Sequence, residues 1–162
     1  GFTNISLDLM LGIPNQTIES LQNSIEFLVS LNPTHISAYL LKIEPDTYFG
    51  KNMPQNLPDE ELCADLYEKA VEILGEKGYY QYETSNFAKV GFESRHNLKY
   101  WHCEEYLGLG PSAHSFIDGK RFYFDSNISA VDLGKYKGAI YRMASAETPP
   151  TVTIETSFDI FK

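Results

Sequence analysis

Two apolar stretches about thirty residues apart, with an amphipathic helix between them, leave this chain few folds to choose from. From Asn4 to Leu11 the residues alternate. Ile5, Leu7, Leu9 and Leu11 fall on one side and Ser6, Asp8 and Met10 on the other, the period of a strand with one face in a core. Gly12-Ile13-Pro14-Asn15 ends the strand. Thr17 is an N-cap, and Ile18, Leu21, Ile25 and Leu28 form a helical stripe to about Leu31, where Asn32-Pro33 stops it. A second strand, His35 to Ile43, completes a strand–helix–strand unit. A crossover of that length joins parallel strands and covers one face of the sheet.

Asp8 interrupts the pattern. A carboxylate in mid-strand is costly to bury unless it is paired or faces a ligand cavity. In a parallel barrel the side away from the helices is the interior, and residues toward the strands' C-terminal ends build the site. Asp8 would then hold a ribose hydroxyl or an amine. The alternative is an Asp paired with an Arg or Lys elsewhere in the chain for structural reasons.

Glu44-Pro45 opens a loop that runs through Pro54 and Pro58. A helix starts at the N-cap Asp59, turns Leu62, Leu66, Ala70, Ile73 and Leu74 inward, and ends at Gly78. Tyr79 to Phe87 reads as one aromatic-rich strand with Glu83 inside it. In Ser94-Arg95-His96-Asn97-Leu98-Lys99-Tyr100-Trp101, helical spacing puts His96 with Tyr100 and Asn97 with Trp101. One reading is a surface helix that anchors its Trp in the core and uses its His as a hydrogen bonder. The other is an imidazole between flat aromatic surfaces with cations nearby, which suits a flat, acidic, metal-containing ligand such as haem. The two glycines of Leu107-Gly108-Leu109-Gly110, just before His114, let a backbone approach a ligand closely, although such a loop is more often a turn. Phe116 to Phe124 reads as a hairpin around Asp118-Gly119, and a last helix runs from about Val131 to Ala144. Pro149-Pro150 opens a Thr-rich tail to which no structure is assigned.

With 162 residues, 43% of them hydrophobic, the chain can bury a core as one domain or a piece of a larger one. A net charge of -9 excludes a phosphate-backbone binder, so no nucleic-acid partner is expected. Much of the acid, from Asp59 to Glu76, reads as a solvated helix face. Cys63 and Cys103 stand in no metal-ligand spacing. No signal peptide, membrane span, P-loop or nucleophile–base arrangement is present in the sequence, which leads to the expectation of a cytoplasmic protein with no catalytic side chain of its own. The chain opens on a strand pattern without an initiator Met, as expected of an excised fragment.

Several stretches together carry a resemblance. They are Asn4-Ile5-Ser6-Leu7-Asp8-Leu9, Gly12-Ile13-Pro14 with Gln16-Thr17, His35-Ile36-Ser37 and Ile43-Glu44-Pro45. Further on come Tyr82-Glu83-Thr84-Ser85-Asn86-Phe87-Ala88, His96-Asn97-Leu98-Lys99-Tyr100-Trp101 and Gly108-Leu109-Gly110. With these the chain resembles, up to about Tyr141, the radical S-adenosylmethionine (SAM) enzymes of the oxygen-independent coproporphyrinogen III oxidase family, and within them the haem chaperone branch. The resemblance implies an α/β chain that forms the later part of a partial (β/α) barrel over residues 1–90. An α+β extension with the His-Asn-x-x-Tyr-Trp motif would follow over 91–148, and then a tail at 149–162.

The resemblance also implies SAM beside a [4Fe–4S] cluster whose ligands lie outside this chain. It assigns Asp8 to SAM, His114 to the lining of the SAM cavity, His96 to haem iron as axial ligand, and Tyr100 and Trp101 to the macrocycle. The implied function is haem binding and delivery to acceptor haemoproteins, a membrane-associated one among the candidate clients. The alternative is an oxygen-independent coproporphyrinogen III dehydrogenase acting on a porphyrin precursor. A third expectation is that the piece alone is inactive and self-associates through the unpaired edge of its first strand.

Overall fold

The computed structural model describes residues 2–123 and the backbone of Thr153–Glu155. Strand β1 (Ser6–Leu11), helix α1 (Ile18–Ser30) and strand β2 (His35–Leu40) form the expected unit, and the two strands run parallel with Ser6 opposite His35 and Leu11 opposite Leu40. Alternation places Leu9 and Leu11 in the core, where they meet Ile36 and Ala38 of β2. Helix α1 starts where the sequence puts it: Thr17 Oγ1 accepts from the Ser20 N–H, and Ser20 Oγ accepts from the Thr17 N–H. Such a reciprocal cap is worth about 1 kcal/mol. The helix ends at Leu31, and Asn32 turns left-handed at φ 56° before Pro33.

A single turn, α2 (Tyr48–Lys51), interrupts the long loop, and α3 (Glu60–Glu76) follows with the Asp59 carboxylate accepting from the Leu62 N–H at 2.8 Å. Leu66, Ala70, Ile73 and Leu74 of α3 and Leu21, Ile25 and Leu28 of α1 pack on the same face of the sheet, together with Tyr79 and Phe87. Burial of each Leu or Ile side chain among these stabilises by roughly 1.5–3 kcal/mol.

Tyr79 to Phe87 is not one strand. It divides into β3 (Tyr80–Glu83) and β4 (Asn86–Ala88), which pair antiparallel around Thr84-Ser85 with a bulge between Gln81 and Glu83. The Glu83 carboxylate causes the reversal, because it accepts from the Ser85 N–H at 3.2 Å and from the side-chain amide of Asn86. Strand β4 lies antiparallel beside β2, with Phe87 opposite Ile36, so the sheet order is β1-β2-β4-β3. Among the described residues only the β1–β2 pair is parallel, and β2 ends at Leu40 rather than Ile43.

The chain divides into two compact units, Gly1–Arg95 and His96–Lys162. The second begins within helix α4 (Arg95–Trp101) and holds an antiparallel sheet of β5 (His114–Ile117), β6 (Lys120–Tyr123) and β7 (Thr153–Glu155). Asp118 and Gly119, at φ 51° and 69°, make the expected hairpin turn between β5 and β6, and positive φ at both central residues matches the twist of the flanking strands. The helix expected at Val131 to Ala144 and most of the tail from Pro149 lie outside the described residues.

Candidate functional site

In the first unit the sheet face away from α1 and α3 is polar. Ser6, Asp8 and Met10 of β1 stand opposite His35, Ser37 and Tyr39 of β2. Asp8 is exposed, and among the described residues it makes no ion pair or hydrogen bond that would account for it structurally. The pairing with an Arg or Lys that the sequence left open is therefore absent among the described residues. The loop after β1 is fixed by Gln16, whose buried side chain accepts from the Gly12 N–H at 2.6 Å while Gly12 turns at φ 72°. This explains the Gly-Ile-Pro-x-Gln pattern locally, since the glutamine caps a strand end that only glycine can turn without strain.

Beside Asp8 runs a hydrogen-bond chain that sequence reasoning did not single out. His35 Nδ1 meets Ser6 Oγ at 2.7 Å, and its Nε2 meets the Tyr82 hydroxyl at 2.8 Å. That hydroxyl also accepts from the Ser94 N–H at 3.2 Å. Burial holds the His35 imidazole below its ordinary pKa, against the upward pull of the Glu83 and Asp8 carboxylates. Ser37 donates to Asn86 Oδ1 at 2.8 Å, and Asn86 in turn donates to Glu83. The polar face is thus pre-ordered, with Asp8 left open to solvent or a ligand.

In the second unit, α4 joins His96 to Tyr100. Their rings meet edge to face at 5.1 Å, and the Tyr100 hydroxyl lies 3.2 Å from His96 Nε2. The i,i+4 spacing does this once the segment is helical. Trp101 is 46% exposed and Tyr100 45%, so the helix does not anchor its Trp in a core. Lys99 stands in its last turn. Tyr100 packs edge to face on Tyr106, with ring centres 4.6 Å apart.

His114, on β5, tilts against Tyr123 at 5.1 Å, and its Nδ1 is buried with no hydrogen-bond partner among the described residues. Gly108 is required by contact within the chain: a Cβ there would run into the His114 carbonyl oxygen. The close approach expected of this loop is therefore to β5, where Gly108 N–H also donates to the fully buried Ser115 hydroxyl at 2.9 Å.

The fold brings His96, Tyr100 and Trp101 together on one helix and places Asp8 in the other unit. The His35 chain escaped sequence reading because its contacts join residues far apart in number, 47 for His35 and Tyr82, and Tyr106 escaped it because it follows a left-handed turn at Cys103 that helical spacing does not reveal. Among the described residues no cluster of three or more His, Cys, Asp or Glu could hold a metal ion, and no helix is long and apolar enough to cross a membrane.

Among known proteins, no family model matches the chain. It is 44% identical over 146 residues to the heme chaperone HemW of Bacillus subtilis, which covers 88% of this chain and 38% of that protein. To HemW of Escherichia coli it is 42% identical over 123 residues, with 74% and 32% covered. To the mitochondrial radical S-adenosyl methionine domain-containing protein 1 of Bos taurus it is 41% identical over 113 residues, with 68% and 26% covered. The chain spans about a third of the length of these relatives. Among solved structures, the coproporphyrinogen III oxidase HemN of Escherichia coli, described as a radical SAM enzyme, matches with a TM-score of 0.64 at 21% identity. That match covers 80% of this chain and 33% of the other, and the likeness bears on the fold alone.

Proposed function

We propose, from the premise that this chain belongs to the HemW-like family of radical SAM proteins, that the intact protein carries haem and hands it to acceptor haemoproteins. The observation that supports this reading is the character of α4. An exposed imidazole, a half-exposed Tyr and a half-exposed Trp share one short helix with Lys99. Haem is the cargo. His96 offers a ring nitrogen to the iron, Tyr100 and Trp101 offer apolar surface to the macrocycle, and Arg95 and Lys99 offer cations to its propionates.

Asp8 suits the SAM assignment, because it is a carboxylate left open on a pre-ordered polar face. His114 suits a ligand-lined cavity, because its Nδ1 is buried without a partner among the described residues. The residues of this chain do not suit a [4Fe–4S] cluster. It has two cysteines, Cys63 on α3 and Cys103 after α4, in different units, so the cluster would be held by residues outside this chain. SAM and the cluster have a supporting role in this reading, the partial barrel of the family houses them, and the protein works in the cytoplasm.

The dehydrogenase reading is secondary, since the likeness to HemN bears on fold and the higher identities are to haem chaperones. The two separate by experiment. Haem-loaded intact protein mixed with an apo-haemoprotein should lose its haem spectrum as the acceptor gains one. Anaerobic formation of protoporphyrinogen from coproporphyrinogen without haem transfer would replace the chaperone reading by the enzyme one.

A further inference from the structure

Helix α4 does not stand by itself in the second unit. Its C-terminal end is closed by two main-chain bonds, Cys103 N–H to the Tyr100 carbonyl at 3.0 Å and Glu104 N–H to the Lys99 carbonyl at 2.9 Å, with Cys103 left-handed at φ 52°. That is a Schellman closure, and it fixes the direction in which the chain leaves the helix. Three residues after Cys103 the chain reaches Tyr106, which is locked onto β5. Its N–H donates to the Phe116 carbonyl at 2.9 Å, and its carbonyl accepts from the Phe116 N–H at 2.8 Å. Held from both sides, the Tyr106 ring lies edge to face on Tyr100 with an interplanar angle of 72°. Tyr100 in turn lies edge to face on His96 and reaches its Nε2 with the hydroxyl.

We propose that Tyr106 is a positioning residue for His96. Its ring, fixed to β5 through the Phe116 bridge, holds the Tyr100 ring, and Tyr100 holds the imidazole in a single orientation. The short helix cannot do this alone, because it has seven residues, none of them buried, and His96 itself is exposed, which leaves its torsions free in water. A ring partner fixed by backbone bonds removes that freedom before any ligand arrives, and a ligating histidine depends on such outer partners for its orientation and basicity. The contact that matters is ring on ring, so the Tyr106 hydroxyl is dispensable and its ring is not. The consequence for haem rests on the functional reading given above; the consequence for the imidazole does not.

Two measurements on the intact protein test this. Nitrogen-15 NMR of its histidines, without haem, should show the His96 ring resonances displaced in Tyr106→Ala and unchanged in Tyr106→Phe, while those of His35 stay put. In anaerobic haem titration, Tyr106→Ala should bind about tenfold more weakly than wild type, with a changed absorption spectrum, and Tyr106→Phe should match wild type. Wild-type protein that binds no haem would defeat the functional reading and leave the NMR result to decide the positioning role. Unchanged His96 resonances in a folded Tyr106→Ala protein would overturn the proposal, and so would a Tyr106→Phe variant as impaired as the alanine.

Discussion

His35 shows how much one residue can tie together. It is buried between Ser6 and Tyr82, and burial lowers its pKa. As the pH falls the unfolded chain therefore takes up the proton first. The stability linked to this group is complete above about pH 6.5 and is lost as the pH drops through the interval between the unfolded and the folded value. Denaturant unfolding of wild type and His35→Gln should show a stability gap that is widest near pH 7.5 and narrows by pH 5.5. A gap that widens on acidification would mean that the imidazole is charged in the folded state. Asp8 is the opposite case. Being exposed and unpaired among the described residues, it can become Asn with less than about 0.5 kcal/mol lost, while SAM binding by the intact protein weakens. A loss of several kcal/mol in stability would make it a structural residue.

At the scale of elements, the turns decide more than the strands do. Gly108 lies against the His114 carbonyl, so Gly108→Ala should destabilise the second unit by about 1–3 kcal/mol, read as a lowered thermal midpoint of a probe near Tyr123. Cys103 adopts a left-handed conformation that costs a residue with a Cβ about 1 kcal/mol, so Cys103→Gly should leave α4 as stable or slightly more so, read by amide exchange at His102 and Cys103. The same contrast explains what the sequence made legible. The β1–α1–β2 unit, the caps Thr17 and Asp59, the Gly78 stop and the Asp118-Gly119 hairpin all follow from local periodicity or from a residue with a fixed turn preference. The β3–β4 reversal did not follow, because Thr84-Ser85 carries no Gly or Pro and its cause is the Glu83 side chain folding back on Ser85 and Asn86. On α4 the spacing gave the His96–Tyr100 pair. It could not show that Trp101 stays half exposed, or that Tyr106 returns to pack on Tyr100, since the Tyr106 position depends on where β5 lies.

At the scale of the whole molecule, the first unit is a sheet with helices on one face and a polar, pre-ordered opposite face. Among the described residues β1 has one neighbour, β2, and its other edge is unpaired. An open edge of alternating residues is a template for another strand, so this chain taken alone should self-associate with rising concentration in sedimentation velocity. A monomer with protected amides on both sides of β1 would contradict that. The second unit carries α4, whose proposed role is to hold haem iron through His96 in the intact protein. The most direct test is anaerobic haem titration of the intact protein, wild type beside His96→Ala. If His96 holds the iron, the wild type should show a saturable haem spectrum that is lost or shifted in the variant, with affinity reduced. Equal affinity and an identical spectrum in both proteins would contradict it and return His96 to the role of a hydrogen bonder to Tyr100.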